Sequence, residues 1–156
     1  FATGDIGEVK DGFLRITDRK KELFKTSGGK YVAPQVLENA MKESIYIEQI
    51  IVIGDGQKFP AALIVPEYVA LRAWAEREGV AVDQELQWLR DVRVIKMVEQ
   101  EINRINARFG NWEQVKAFRL LPRAFTINAA EITPTLKLKR KQICQNWKSE
   151  IDSIYN

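Results

Sequence analysis

Two apolar runs separated by a turn signal place the strongest limit on how this chain can fold. Residues 46–53 are rich in β-branched side chains, residues 61–65 are apolar, and Asp55-Gly56 lies between them. Because β-branched residues favour strands and Asp-Gly favours tight turns, this pattern predicts a β-hairpin. The core of the fold is therefore expected to contain at least these two paired strands.

Helical periodicity accounts for much of the remaining chain, with apolar side chains recurring at spacings of three and four. The predicted helices run from Pro34 to near Ser44, from Pro66-Glu67 to Gly79, from an N-cap at Asp83 to Gly110, and over 138–154. Further strands are predicted over 8–10, 13–16, 115–121 and 125–128. Together these elements predict an α+β domain, with a small mixed sheet, β-hairpins and packed helices.

Composition excludes several kinds of catalytic site. The chain has 156 residues, no histidine and a single cysteine, Cys144. Histidine triads, histidine metal sites, cysteine zinc clusters and intrachain disulfides are therefore excluded, and no metal site is expected. This cysteine usage favours a cytoplasmic location. No apolar run approaches the roughly 20 residues that span a bilayer.

Two segments in the first 30 residues carry residue types suited to nucleotide or ligand binding. In Thr3-Gly4-Asp5, a carboxylate on a turn could accept hydrogen bonds from two ribose hydroxyls. In residues 18–30, Arg19 could contact a phosphate or ribose, and Gly28-Gly29 would let a ligand pass close to the backbone. Taken singly, these segments are more typical of an ordinary turn and a solvated linker.

A third segment, residues 131–141, combines a stiff loop with a basic run. Pro134 precedes Lys137, whose long stem and point charge suit it to meet negative charge that develops on a carboxylate or phosphate. Lys139, two residues further on, is the alternative candidate. Taken singly, the segment is more typical of the basic start of a surface helix or of a lipid- or nucleic-acid-binding patch.

In order and spacing, the three segments resemble the last three motifs of the adenylate-forming enzymes, which include acyl- and aryl-CoA ligases, luciferases and peptide-synthetase adenylation domains. The matching stretches are Thr-Gly-Asp at 3–5, Asp-Arg-Lys-Lys-Glu-x-x-Lys-x-Ser-Gly-Gly-Lys-Tyr-Val-Ala-Pro at 18–34, and Thr-Pro-Thr-x-Lys-x-Lys-Arg at 133–140. They look most like the long-chain fatty-acid–CoA ligase (acyl-CoA synthetase) branch. The resemblance covers essentially the whole chain.

The resemblance implies a role for individual residues. It assigns Lys137 as catalytic, Asp5 and Arg19 as nucleotide-binding, Lys21 as the hinge, and Ser27, Gly28 and Gly29 as coenzyme A-binding. One position departs from the common pattern, because Leu136 stands where most of the superfamily has glycine. We interpret this leucine as a marker of the long-chain branch.

The resemblance also implies the organisation of a larger protein. Residues 1–21 would end an N-terminal adenylation domain and form the hinge, and residues 22–156 would be its C-terminal lid domain. The full-length enzyme would use ATP with Mg²⁺, fatty acid and coenzyme A to form an acyl-adenylate and then a thioester. The chain opens at Phe1 without a methionine, so we expect an excised fragment that is inactive alone and binds none of these ligands tightly.

Two other functions stay open from the sequence. The chain could be the lid of another acyl- or aryl-adenylate-forming enzyme, since the acyl pocket would lie outside it. It could also be a basic membrane-surface-binding module through residues 137–141, and peripheral membrane contact would suit long-chain acyl substrates delivered from membranes. Nucleic acid is disfavoured as a partner because no aromatic side chains are interleaved with these basic residues.

Overall fold

A three-stranded sheet lies at the centre of the fold. The computed structural model describes residues 5–10, 13–19, 23–80, 87 and 89–156. Its strands are β1 (Asp5–Lys10), β2 (Phe13–Arg19), β3 (Phe24–Lys25), β4 (Tyr31–Val32), β5 (Ile47–Ile53), β6 (Ala61–Pro66) and β7 (Ala117–Leu120). Its helices are α1 (Pro34–Met41), α2 (Tyr68–Glu78), α3 (Val92–Asn106), α4 (Arg140–Asn146) and α5 (Lys148–Tyr155).

The central sheet has the order β5-β6-β7. Strands β5 and β6 pair antiparallel, which confirms the predicted hairpin. Strands β6 and β7 pair parallel, and α2 and α3 lie between them in the chain, as a parallel connection requires. The sheet is therefore mixed, and with its packed helices it confirms the predicted α+β class.

Helices cover both faces of this sheet. Alternate residues of β5 and β6 point to opposite sides, so Ile50 and Ile64 pack in one hydrophobic cluster while Ile51 and Leu63 pack in another. The first cluster includes residues of α1, α2 and α3, and the second includes Ile143 of α4. Strand β6 is buried along its whole length, which explains its continuous apolar sequence.

Two predicted helices have different ends in the structure. The first ends at Met41 rather than near Ser44, because Ser44 leaves the helix and its hydroxyl donates a hydrogen bond of 3.0 Å to Glu101 of α3. The long helix begins at Val92, where the Asp91 carboxylate accepts a 2.8 Å hydrogen bond from the Arg93 amide and caps the helix. The predicted cap, Asp83, lies outside the described residues.

The long helix also ends before Gly110, because Asn106 turns inward. Asn106 is the last helical residue, and its side-chain amide bonds both the amide and the carbonyl of Val115. Local periodicity does not reveal these contacts, since they join the helix to the segment that precedes β7. The helix is therefore shorter at its C-terminal end than its apolar spacing predicts.

Residues 138–154 form two helices rather than the single predicted one. The break is at Trp147, whose backbone φ of −112° and ψ of 26° are not helical. No strand forms over 125–128, where residues 125 and 126 are irregular and a turn begins at residue 127. At the other end of the chain, Asp18 and Arg19 belong to β2, although their charge predicts a linker. No helix among the described residues is long and apolar enough to cross a membrane.

Gly54 provides a test of the packing beside the central hairpin. Its φ is +149°, and a Cβ atom there would lie 3.0 Å from Phe24 Cε1 and 3.1 Å from the Phe59 carbonyl oxygen. We expect Gly54→Ala to lower the free energy of unfolding by about 2–4 kcal/mol, through backbone strain and overpacking. Thermal or denaturant unfolding measures this loss.

Gly56 is the matched control, because its φ is +71° but a Cβ atom there would meet nothing within 4 Å. Gly56→Ala should therefore cost only the backbone term of about 1–2 kcal/mol. Equal losses at the two positions would show that contacts around Gly54 are looser than the structure indicates.

Candidate functional site

The segment with the candidate lysine forms a small hairpin, residues 131–139, which we call the lysine hairpin. Ile132 pairs with Leu138 in an antiparallel bridge, and the Glu131 carbonyl accepts a 2.8 Å hydrogen bond from the Lys139 amide. Nearer the tip, the Thr133 hydroxyl accepts a 3.0 Å hydrogen bond from the Lys137 amide. Lys137 is therefore exposed on a hairpin whose backbone is fixed by hydrogen bonds between its two arms.

Leu136, next to Lys137, has an unusual backbone. Its φ is +64° and its side chain is 73% exposed. A non-glycine residue in the left-handed region costs about 1–2 kcal/mol, and an exposed leucine recovers nothing from burial. This backbone explains physically why glycine suits the position, and it makes Leu136 a strained residue within a well-bonded loop.

A buried carboxylate holds the base of the lysine hairpin. Glu131 is fully buried and accepts two hydrogen bonds from Arg123, at 2.6 and 3.1 Å. It also accepts hydrogen bonds from Trp147 Nε1 at 2.8 Å and Asn146 Nδ2 at 3.1 Å. Burial by itself raises the pKa of Glu131, but the Arg123 guanidinium and the other donors outweigh it and hold the pKa below its ordinary value.

A second buried carboxylate, that of Glu38, holds the residue that directly follows the lysine hairpin. Arg140, the first residue of α4, makes a bidentate pair with Glu38 of α1, at 2.8 and 3.2 Å. Glu38 also accepts a 2.7 Å hydrogen bond from the Val52 amide of β5. These contacts fasten the lysine hairpin to α1 and to the central sheet.

The candidate coenzyme A residues lie in a tight turn, residues 26–30, which we call the glycine turn. It joins β3 to β4, with the Thr26 amide bonded to the Lys30 carbonyl at 2.9 Å. Gly29 has a φ of +86°, which favours glycine. The Ser27 amide donates to the Gln57 carbonyl, so the turn is fixed against the β5–β6 connection while Ser27, Gly28 and Gly29 stay exposed.

Two lysine–aromatic pairs flank the glycine turn. The Lys25 ammonium lies 5.7 Å from the centre of the Tyr31 ring, and the Lys30 ammonium lies 5.8 Å from that of Trp112. Both aromatic side chains are exposed, Tyr31 by 64% and Trp112 by 50%. The turn therefore carries positive charge beside open aromatic surface.

The candidate nucleotide residues are brought together by the first hairpin. Asp5 opens β1, Arg19 closes β2, and the two are direct partners in the antiparallel register. Residues 14 positions apart in the sequence thus become cross-strand neighbours. The candidate hinge, Lys21, lies outside the described residues.

Comparison with known proteins decides the family. Residues 22–156 match the model of the AMP-binding enzyme C-terminal domain. The long-chain-fatty-acid–CoA ligase FadD15 of Mycobacterium tuberculosis is 39% identical across 100% of this chain. Human long-chain-fatty-acid–CoA ligase 1 is 36% identical across 99% of it. The chain belongs to the AMP-binding enzyme C-terminal domains.

This AMP-binding enzyme C-terminal domain spans about a quarter of the length of its curated relatives, 26% of the mycobacterial ligase and 22% of the human one. The adenylation domain of a carboxylate reductase from Mycobacterium chelonae has the same fold, with a TM-score of 0.77 at 22% identity. That match covers 97% of this chain and 22% of the other chain. The relatives are thus much longer proteins.

Sequence patterns did not point to the residues that support the site in this AMP-binding enzyme C-terminal domain. Glu131 opens a segment whose pattern is dominated by basic residues, and Glu38 lies inside the first predicted helix. Their partners, Arg123 and Arg140, lie 8 and 102 positions away. A charged residue at a position facing the core is the signal that could have found Glu38.

No three carboxylate or thiol side chains converge as a metal site in the described part of the chain.

The depressed pKa of Glu131 leads to a prediction on stability and pH. Because the folded-state pKa lies below the ordinary value, the ionised carboxylate stabilises the fold at neutral pH, and this contribution is lost as pH falls through the folded pKa. Glu131→Gln should lower the free energy of unfolding at pH 7 by about 1.5–3 kcal/mol, the usual worth of hydrogen bonds to a charged group.

Denaturant unfolding between pH 7 and pH 3 measures both effects. The difference between wild type and Glu131→Gln should shrink once the pH falls below glutamate's ordinary value of about 4.3. Glu150→Gln, on the partly exposed surface of α5, is the control and should change stability by less than about 0.5 kcal/mol. A pH-independent difference at Glu131 would contradict the role of its charge.

Proposed function

We propose that this domain is the C-terminal lid of an ATP-dependent long-chain fatty-acid–CoA ligase. The observation that carries the proposal is similarity to two long-chain-fatty-acid–CoA ligases across 99–100% of the chain. The whole protein would join a fatty acid to the α-phosphate of ATP and then transfer the acyl group to coenzyme A. The lid would supply residues to each half-reaction in a different orientation.

Lys137 is the catalytic residue in this proposal. In adenylation a carboxylate oxygen of the fatty acid attacks the α-phosphorus, the bond to pyrophosphate breaks, and negative charge builds on the phosphoryl oxygens. An ammonium already in place stabilises that charge without reorganisation. Two positions favour Lys137 over Lys139: Lys137 follows the strained tip of the hairpin, whereas Lys139 occupies the N-cap position of α4.

Asp5 and Arg19 would bind the nucleotide. A carboxylate accepts hydrogen bonds from both ribose hydroxyls, and a guanidinium donates to ribose or phosphate oxygens. Their pairing across β1 and β2 supports a joint role. Lys21, two residues after β2, would be the hinge about which the lid turns.

Ser27, Gly28 and Gly29 would line the path of the pantetheine arm of coenzyme A. A narrow ligand can pass close to these exposed residues because two of them have no side chain. Lys25 and Lys30 flank the turn and would attract the phosphates of the coenzyme. The partner of this surface would be the protein's own larger domain.

We also propose a cytoplasmic location with peripheral membrane contact. The chain's single cysteine suits a reducing compartment. Three exposed lysines, Lys137, Lys139 and Lys141, lie within five positions, and basic clusters attract anionic lipid surfaces. Flotation of the full-length enzyme with anionic and neutral liposomes tests this contact.

Lys137→Ala tests the adenylation role in the full-length enzyme. We expect acyl-adenylate formation from fatty acid and ATP to fall about 10²–10³-fold, the usual effect of removing one preorganised electrostatic group. Transfer from supplied acyl-adenylate to coenzyme A should be largely spared. Rapid-quench assays of the two half-reactions measure these effects separately.

Lys139→Ala is the matched control, since it removes another exposed lysine of the same hairpin, two residues after Lys137. If Lys139→Ala abolishes adenylation and Lys137→Ala does not, the catalytic lysine is wrongly assigned. If Lys137→Ala slows both half-reactions equally, its role is not specific to adenylation.

Gly28→Val tests the coenzyme A path. A Cβ atom at Gly28 would meet only Thr26 Oγ1, at 3.9 Å, so the substitution should leave lid stability unchanged within about 0.5 kcal/mol. The bulky side chain should nevertheless obstruct the pantetheine arm and slow thioester formation about tenfold, with adenylation unaffected. Unchanged thioester kinetics would place the coenzyme elsewhere.

A further inference from the structure

Leu136 is an exposed apolar residue held in a conformation that leucine disfavours. Its φ is +64°, and 73% of its surface is open. The neighbours impose this backbone, because the Leu136 amide donates to the Thr133 carbonyl at 2.8 Å and the Thr133 amide donates to the Lys137 carbonyl at 2.9 Å. Leu136 and Lys137 are therefore adjacent members of one stiff hairpin and must move together.

We propose that Leu136 is a docking contact, which packs against an apolar surface of the larger domain of the same protein when the lid is in the adenylation orientation. This inference rests on the proposed function, in which Lys137 enters a site on that domain. The relatives extend well beyond this chain, which covers 22–26% of their length, so the proposed full-length enzyme would offer a large partner surface outside it.

The contact would be specific to one orientation of the lid. When Lys137 reaches the reacting carboxylate, the residue bonded to it must enter the same interface, and an apolar side chain gains free energy there by leaving water. When the lid turns to form the thioester, the hairpin leaves and Leu136 is exposed again. Leu136 thus biases the lid towards the adenylation orientation, because it makes a contact there that it lacks in the thioester orientation.

Two substitutions separate this contact from the shape of the hairpin. Asparagine tolerates left-handed backbone but is polar, so Leu136→Asn should keep the hairpin and lose the docking contact. Methionine is apolar and close to leucine in volume, so Leu136→Met should keep the contact. In the full-length enzyme we expect Leu136→Asn to slow adenylation about tenfold, equivalent to about 1.4 kcal/mol, and to spare thioester formation.

A crosslinking experiment observes the contact directly, without reference to catalysis. Photo-leucine is placed at position 136 of the full-length enzyme, which is irradiated with fatty acid and α,β-methylene-ATP to hold the adenylation orientation. Crosslinks from position 136 to the larger domain should form in this complex. They should largely disappear when an acyl-sulfamoyl-adenosine plus coenzyme A holds the thioester orientation instead. Photo-leucine at Val69, which is 79% exposed on α2, should show no such dependence.

Each outcome bears on the proposal. Absence of crosslinks from position 136 in the adenylation complex overturns it, as does full adenylation activity in Leu136→Asn or an equal loss in Leu136→Met. Equal slowing of both half-reactions by Leu136→Asn also overturns it. The proposed catalytic role of Lys137 is tested separately. If that role is wrong, the Lys137→Ala enzyme will form acyl-adenylate at the normal rate, and this result does not depend on the crosslinks at position 136.

Discussion

The buried carboxylate of Glu131 is the interaction on which the lysine hairpin and its surroundings depend. A charged group without water is costly unless hydrogen bonds replace its hydration, and here Arg123, Asn146 and Trp147 provide them. The same contacts draw together the loop after β7, the end of α4 and the lysine hairpin. The break between α4 and α5 falls at Trp147, where the indole donates its hydrogen bond to Glu131.

Glu38 extends this support to the opposite side of the domain. It lies on α1, which follows directly after the glycine turn and β4, and it binds both Arg140 and the Val52 amide. The lysine hairpin and the glycine turn are thereby built into one packed unit through α1 and the sheet. If the two loops serve successive half-reactions, as we propose, the simplest way to exchange them is to turn the whole lid, because neither loop is free to move alone.

The elements that could be predicted from the sequence are those whose signals are local. The β5–β6 hairpin follows from the residues of its own two strands and turn, and the start of α1 follows from Pro34. The errors occur where a distant contact decides the outcome: Ser44 leaves α1 to bind Glu101, and Trp147 breaks the closing helix at its bond to Glu131. For the candidate site, the motifs predict Lys137 and the glycine turn, which the structure shows to be exposed, whereas the buried carboxylates of Glu131 and Glu38 could be found only from the fold.

The strain at Leu136 fits the proposed role of this domain as a stable lid that docks on a partner. Within the domain, the left-handed backbone and the exposed side chain both oppose folding, and the hydrogen bonds of Thr133 together with the Glu131 cluster offset them. In the proposed enzyme, a flexible tip would avoid this cost but would lose entropy each time the lid closed to place Lys137. A prebuilt tip would accept the cost once, on folding, and would leave the free energy of docking Leu136 available to hold Lys137 against the developing charge.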